Sequence, residues 1–77
     1  MENWNDLKLV LAIARAGTLG GGATALGVTH STAFRRLNAL EEKLGVRLFE
    51  RLPAGIYQAT SEGERVATTA ERVETEA

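Results

Sequence analysis

The apolar positions of this chain recur at helical spacing in most of its length and change period once, between Gly45 and Ala59. Leu7, Val10, Leu11 and Ala14 lie one helical face apart, and Leu9 and Ile13 widen that face. This spacing predicts an amphipathic helix over about 4–16. Asn3 stands as its cap with Asp6 three residues on, and Gly17 as its stop. Trp4 is expected to pack at its start, with stacking on a base as the functional alternative. A second helix is predicted from the Thr18 cap to the Gly27 stop, with Leu19, Ala23 and Leu26 facing inward. The run Gly20-Gly21-Gly22 opposes it, because three interior glycines cost roughly 2–3 kcal/mol against alanine. Either they permit close approach of a neighbouring helix or a phosphate, or they fall in the first turn, where the loss is partly tolerated.

Thr29 caps a third helix over about 30–43, with Gly45 beyond its end. Ala33, Leu37, Leu40 and Leu44 form one apolar stripe, expected to be buried throughout. At about 100° per residue, Ser31, Arg35 and Asn38 point away from that stripe. His30 and Phe34 lie on one flank, leaving Phe34 partly exposed, and Arg36 lies on the other. Leu48–Arg51 and Ile56–Ala59 are short candidate strands, with Leu52-Pro53-Ala54-Gly55 as the turn and Pro53 at its first corner. Thr60 caps a last helix, along which Val66, Ala70, Val73 and Ala77 make a seam of small residues on a charged surface. No glycine, proline or basic last turn stops it, which reads as a chain cut in mid-helix.

Two helices joined by Gly27-Val28-Thr29, the second with an apolar face and a face of small polar and basic residues, are laid out as a helix-turn-helix with a recognition helix. The hairpin after them reads as a wing. The predicted fold is therefore mostly α: a winged helix-turn-helix (three-helix core and two-stranded β-wing) over 1–59, then a linker or dimerisation helix over 60–77. The seam Val66, Ala70, Val73 and Ala77 is read as the dimer interface, with packing back on the first helix as the alternative.

Composition adjusts this picture a little. Seventy-seven residues make one domain, and the chain has no cysteine, so no disulfide or thiolate metal site supports it. It has no apolar run long enough for a membrane span and no signal-peptide pattern, so a soluble, cytoplasmic protein is expected. The net charge of −1 argues mildly against nucleic acid. Its distribution argues the other way. Residues 29–51 hold Arg35, Arg36, Lys43, Arg47 and Arg51 against Glu41, Glu42 and Glu50, while the acidic excess lies at the C-terminal end. No enzymatic or metal-ligating constellation is present: there is one histidine, and the carboxylates are spaced like ordinary surface partners of bases. No cofactor is expected.

Several stretches resemble the N-terminal DNA-binding domain of LysR-type transcriptional regulators. They are Trp4–Lys8 (WNDLK), Ala16–Leu19 (AGTL), Ala25–Thr29 (ALGVT), Phe34–Glu41 (FRRLNALE), Leu44–Arg51 (LGVRLFER) and Thr60–Glu64 (TSEGE). The resemblance covers nearly the whole chain. It implies a bacterial regulator whose linker helix pairs two subunits, and a larger C-terminal domain, absent here, that senses a small molecule; the complete regulator would be a dimer or a tetramer. The chain departs from the commoner pattern at Thr29-His30-Ser31, where many members carry Ser-Gln-Pro, and at Phe34, where many carry Ser. The wing is about one residue longer, so a bulge or a longer tip is expected, and Ala59 replaces a usual leucine.

The expected DNA contacts follow. Arg35 reaches a guanine edge or clamps a phosphate. Arg36, on the flank, holds a phosphate. Thr29, His30 and Ser31 open the helix, where backbone N–H groups favour a phosphate and short side chains read base edges. Thr32 meets a thymine methyl or is plain helix surface. Phe34 touches a thymine methyl or sugar, or packs on the second helix. Arg51, with Pro53 to Gly55 of the wing (51–57), enters the minor groove or holds the backbone, as the family implies, or pairs with Glu50 or Glu41. Together these residues predict a homodimer binding double-stranded DNA sequence-specifically at an inverted repeat. The rival reading is a winged helix used only for protein–protein contact.

Overall fold

The structure, a computed structural model, describes residues 3–76. Its elements are α1 (Trp4–Ala16), α2 (Leu19–Leu26), α3 (His30–Leu44), β1 (Phe49–Arg51), a 3-10 turn (Pro53–Gly55), β2 (Tyr57–Ala59) and α4 (Ser61–Glu76). Each α-helix opens on the capping side chain the sequence pointed to. The Asn3 Oδ1 accepts from the Asp6 N–H at 3.0 Å, and the hydroxyls of Thr18, Thr29 and Thr60 accept from Gly21, Thr32 and Gly63 at 2.9, 3.1 and 3.1 Å. Each satisfies one backbone donor that the first helical turn leaves unpaired.

One apolar cluster joins the first three helices to the hairpin. Leu9, Val10 and Ile13 of α1 meet Leu19 and Ala23 of α2, Ala33, Leu37 and Leu40 of α3, and Leu48 and Phe49 at the entry to the hairpin. Two sequence expectations fail at its margins. Leu44 is 38% exposed rather than buried, because the stripe of α3 turns after Leu40 onto Glu41 and the last turn passes beyond the core. Trp4 is likewise 38% exposed and joins neither buried cluster.

The triple glycine resolves residue by residue. A Cβ on Gly22 would stand 2.7 Å from the Ile13 Cγ1 and 3.0 Å from its Cα, so α1 and α2 touch there backbone to backbone. A Cβ on Gly21 would stand 2.7 Å from the Ala16 Cβ and 2.8 Å from the capping hydroxyl of Thr18. One on Gly20 would meet only the His30 ring, at 3.7 Å. Close approach of a neighbouring helix explains the second and third glycines, and a tolerant first turn explains the first.

β1 and β2 pair antiparallel in unbroken register, Phe49 with Ala59, Glu50 with Gln58 and Arg51 with Tyr57. The Leu52 N–H donates to the Ile56 carbonyl at 2.8 Å, so the ladder carries no bulge and the added length sits in the tip, Pro53 to Gly55. β2 also reaches the α1–α2 corner. The Tyr57 N–H donates to the Gly17 carbonyl at 2.8 Å, and Ile56 bridges Thr18. At the other end, the Leu48 carbonyl accepts the Thr60 N–H at 3.0 Å, and the Arg47 carbonyl accepts the Thr60 hydroxyl at 2.7 Å. The wing is thus tied at both ends to helices.

α4 returns to α1. Ala70 is fully buried with Leu7 and Leu11, and Val66 and Ala67 pack against the same pair. Arg15 donates to Glu74 at 2.9 Å and stands 3.6 Å from Glu71; the bond to Glu74, with both negative charges, raises the guanidinium pKa above its usual value. The seam read as a dimer interface is therefore divided. α1 takes Ala70 and most of Val66, Val73 remains 40% exposed, and Ala77 lies outside the described residues. Among the described residues no helix is long and apolar enough to cross a membrane.

Candidate nucleic-acid interface

α3 has two unlike faces. Ala33, Leu37 and Leu40 are sealed in the core, while His30, Ser31, Phe34, Arg35 and Arg36 are exposed on the opposite side and flanks. Arg35 and Arg36 form no ion pair among the described residues. The helix opens on a hydroxyl cluster. The Thr29 hydroxyl lies 2.9 Å from that of Thr32 and 3.4 Å from that of Ser31. Thr32 is half-buried and its hydroxyl is engaged in the cap, so it stabilises the turn, whereas Ser31 and His30 stay open to solvent. The His30 ring borders Gly20 at the start of α2.

The wing arginine is held against α3. Arg51 Nη2 donates to the Asn38 Oδ1 at 2.9 Å and to the Glu41 Oε1 at 3.3 Å. Its guanidinium carbon lies 5.8 Å from the Phe34 ring centroid and 5.4 Å from that of Tyr57. Tyr57 is steadied in turn by the buried Phe49, with ring centroids 6.2 Å apart. Of the two acids considered for Arg51, it is Glu41 that the guanidinium pairs with. Phe34 is 44% exposed and meets the wing arginine.

Glu41 contradicts the reading of the carboxylates as surface groups. It is only 9% exposed, and its Oε2 accepts the backbone N–H groups of Leu48 at 2.8 Å and Phe49 at 3.3 Å. An acid in the last turn of a helix faces the unfavourable end of the dipole. Two buried donors and one guanidinium outweigh that penalty here. Phe34, Asn38 and Glu41 follow one another at i, i+4 and i+7 of α3, so one line of the helix faces the hairpin. That periodicity is present in the sequence, but an aromatic, an amide and an acid do not announce a shared face. Pro53 and Gly55 lie exposed at the wing tip, past Arg51.

This arrangement can present a mixed polar and basic helix face together with a braced arginine to a polyanion. Residues 4–64 match the family model described as bacterial regulatory helix-turn-helix protein, lysR family. The chain is 46% identical over 73 residues (95% of this chain) to an uncharacterized HTH-type transcriptional regulator of Mycobacterium tuberculosis, of which it covers 23%. It is 38% identical over 70 residues to the HTH-type transcriptional regulator CbbR of Cereibacter sphaeroides, covering 90% of this chain and 23% of that one. The chain thus spans about a quarter of the length of these relatives. Among solved structures, the CbnR DNA-binding domain in complex with DNA superposes with a TM-score of 0.84 at 31% identity, covering 96% of this chain and 84% of that one. Full-length LysG of Corynebacterium glutamicum superposes with a TM-score of 0.87 at 28% identity, over 97% of this chain and 26% of that one. With the helix-turn-helix, the wing and the family model all in agreement, the chain belongs to the lysR family of bacterial regulatory helix-turn-helix proteins, a family of transcription regulators and not of enzymes, and corresponds to its DNA-binding domain.

Proposed function

We propose that this domain binds double-stranded DNA sequence-specifically as a homodimer in the bacterial cytoplasm, with α3 in the major groove and the wing at the adjacent minor groove. The observation that carries this is the uncovered face of α3, where His30, Ser31, Arg35 and Arg36 stand exposed opposite a fully buried stripe. Arg35 serves as the base reader, Arg36 and the start of α3 as phosphate contacts, and Arg51 as the wing's grip on the backbone. Pairing of two copies through α4 is supported by Val73, exposed on an otherwise charged helix. Two-fold symmetry then calls for an inverted repeat with half-sites ~10–10.5 bp or a multiple apart.

The test is selection of bound duplexes from a random pool, followed by affinity measurements across a salt series. The reading expects a preferred inverted repeat and a steep loss of affinity with salt. Arg35→Ala should cost about 1–3 kcal/mol and relax preference at one base position. Undetectable binding by the dimer at low salt would instead favour a winged helix devoted to protein contacts.

A further inference from the structure

We propose that Phe34 is a positioning residue for DNA binding, acting through Arg51 instead of touching a base itself. This rests on the DNA-binding reading above. Arg51 of the wing is bound to α3 from several sides. Asn38 and Glu41 hold its Nη2, and the rings of Phe34 and Tyr57 lie within cation–π range of the guanidinium. Both hydrogen bonds leave from Nη2, so among the described residues Nε and Nη1 keep their donors for an incoming phosphate oxygen. Tyr57 is anchored on buried Phe49, whereas Phe34 stands on the exposed side of α3. Together with Asn38 and Glu41, Phe34 therefore ties the guanidinium to α3, the helix that carries Arg35, and it does so from the exposed side.

The consequence is preorganisation. A free arginine on a hairpin loses rotamer freedom when it grips a phosphate; one already held by rings and hydrogen bonds loses less. It also fixes the wing arginine relative to the readout face, so both arrive at the duplex in one geometry.

A double-mutant cycle tests this on a duplex selected by the wild-type domain. Phe34→Leu keeps an apolar side chain and removes the ring; it should raise Kd about 2–5-fold when Arg51 is present. In the Arg51→Gln background the same change should move Kd by less than about 2-fold. Phe34→Tyr should restore wild-type affinity. Arg51→Gln should lower the salt slope by about 1, whereas Phe34→Leu should leave it unchanged because the charge is still there. Circular dichroism confirms that each variant is folded. Equal losses from Phe34→Leu in both backgrounds would show that Phe34 contacts DNA directly and would overturn the proposal, as would no loss with Arg51 present. Failure of the wild-type domain to bind any duplex overturns the DNA reading and this inference with it.

Discussion

The Glu41 Oε2 accepts the backbone N–H of Leu48 at 2.8 Å, joining the last turn of α3 to the entry of the wing. The same oxygen accepts the Phe49 N–H at 3.3 Å, and the other oxygen faces Arg51. Glu41→Ala would orphan two buried donors and should destabilise the domain by roughly 2–4 kcal/mol. Glu41→Gln keeps an acceptor but loses the charge assistance, and should cost about half as much. Urea denaturation of the three proteins checks the ranking. Equal stability of Glu41→Ala and the wild type would refute the staple.

The three glycines of α2 should respond in opposite directions. Gly22→Ala pushes a methyl into the Ile13 backbone and should cost about 1–3 kcal/mol. Gly21→Ala, crowded by Ala16 and the Thr18 hydroxyl, should also lower stability. Gly20→Ala has only the His30 ring nearby and should gain up to about 0.8–1 kcal/mol from helix propensity. In a melting experiment 1 kcal/mol corresponds to a shift of roughly 4–8 °C. A rise in melting temperature for Gly22→Ala would disprove the close helix approach.

Gly63 carries a constraint of another kind. A Cβ there would overlap the Leu48 carbonyl oxygen and stand 3.4 Å from the Ala59 Cβ. Gly63→Ala must lift α4 off the hairpin, at a cost of about 3 kcal/mol that helix propensity cannot offset. Differential scanning calorimetry should show a clearly lower transition; an unchanged one would mean that α4 does not sit so tightly on the wing.

The wing tip should be improvable. Ala54 adopts φ 64° and ψ 23°, a left-handed conformation that costs a residue with a Cβ about 1 kcal/mol or more. Ala54→Gly relieves this strain and should stabilise the domain by about 0.5–1 kcal/mol after its own entropy cost. Thermal melts in parallel with Ala54→Val, which should destabilise, give the comparison. Identical melting temperatures for all three would show that the tip is not held in this conformation.

The helices and their caps were readable along the chain because they depend on local chemistry. Asn3, Thr18, Thr29 and Thr60 bond to N–H groups three residues on, and the stripe from Ala33 to Leu40 recurs with the helical period. The exposed face with His30, Ser31 and Arg35 followed from the same period. Glu41, Asn38 and Gly63 were not readable as they stand. Each owes its role to a partner 7 to 15 positions away, Leu48 for Glu41 and Gly63, and Arg51 for Asn38. The α4 seam was ambiguous for the same reason. An apolar stripe states that something covers it, and only the return of α4 onto Leu7 and Leu11 shows that Ala70 is covered within the chain.

By itself, then, the sequence determined the order and ends of the helices, the position of the hairpin and which face of α3 is left exposed. These are matters of spacing, capping and turn chemistry within a few residues. Tertiary structure alone decided that the wing arginine is braced by Phe34, Asn38, Glu41 and Tyr57, that Gly22 lies against Ile13, and that the seam of α4 is shared with α1. Those relationships depend on where separate elements meet in space, and close packing settles that for the whole domain at once.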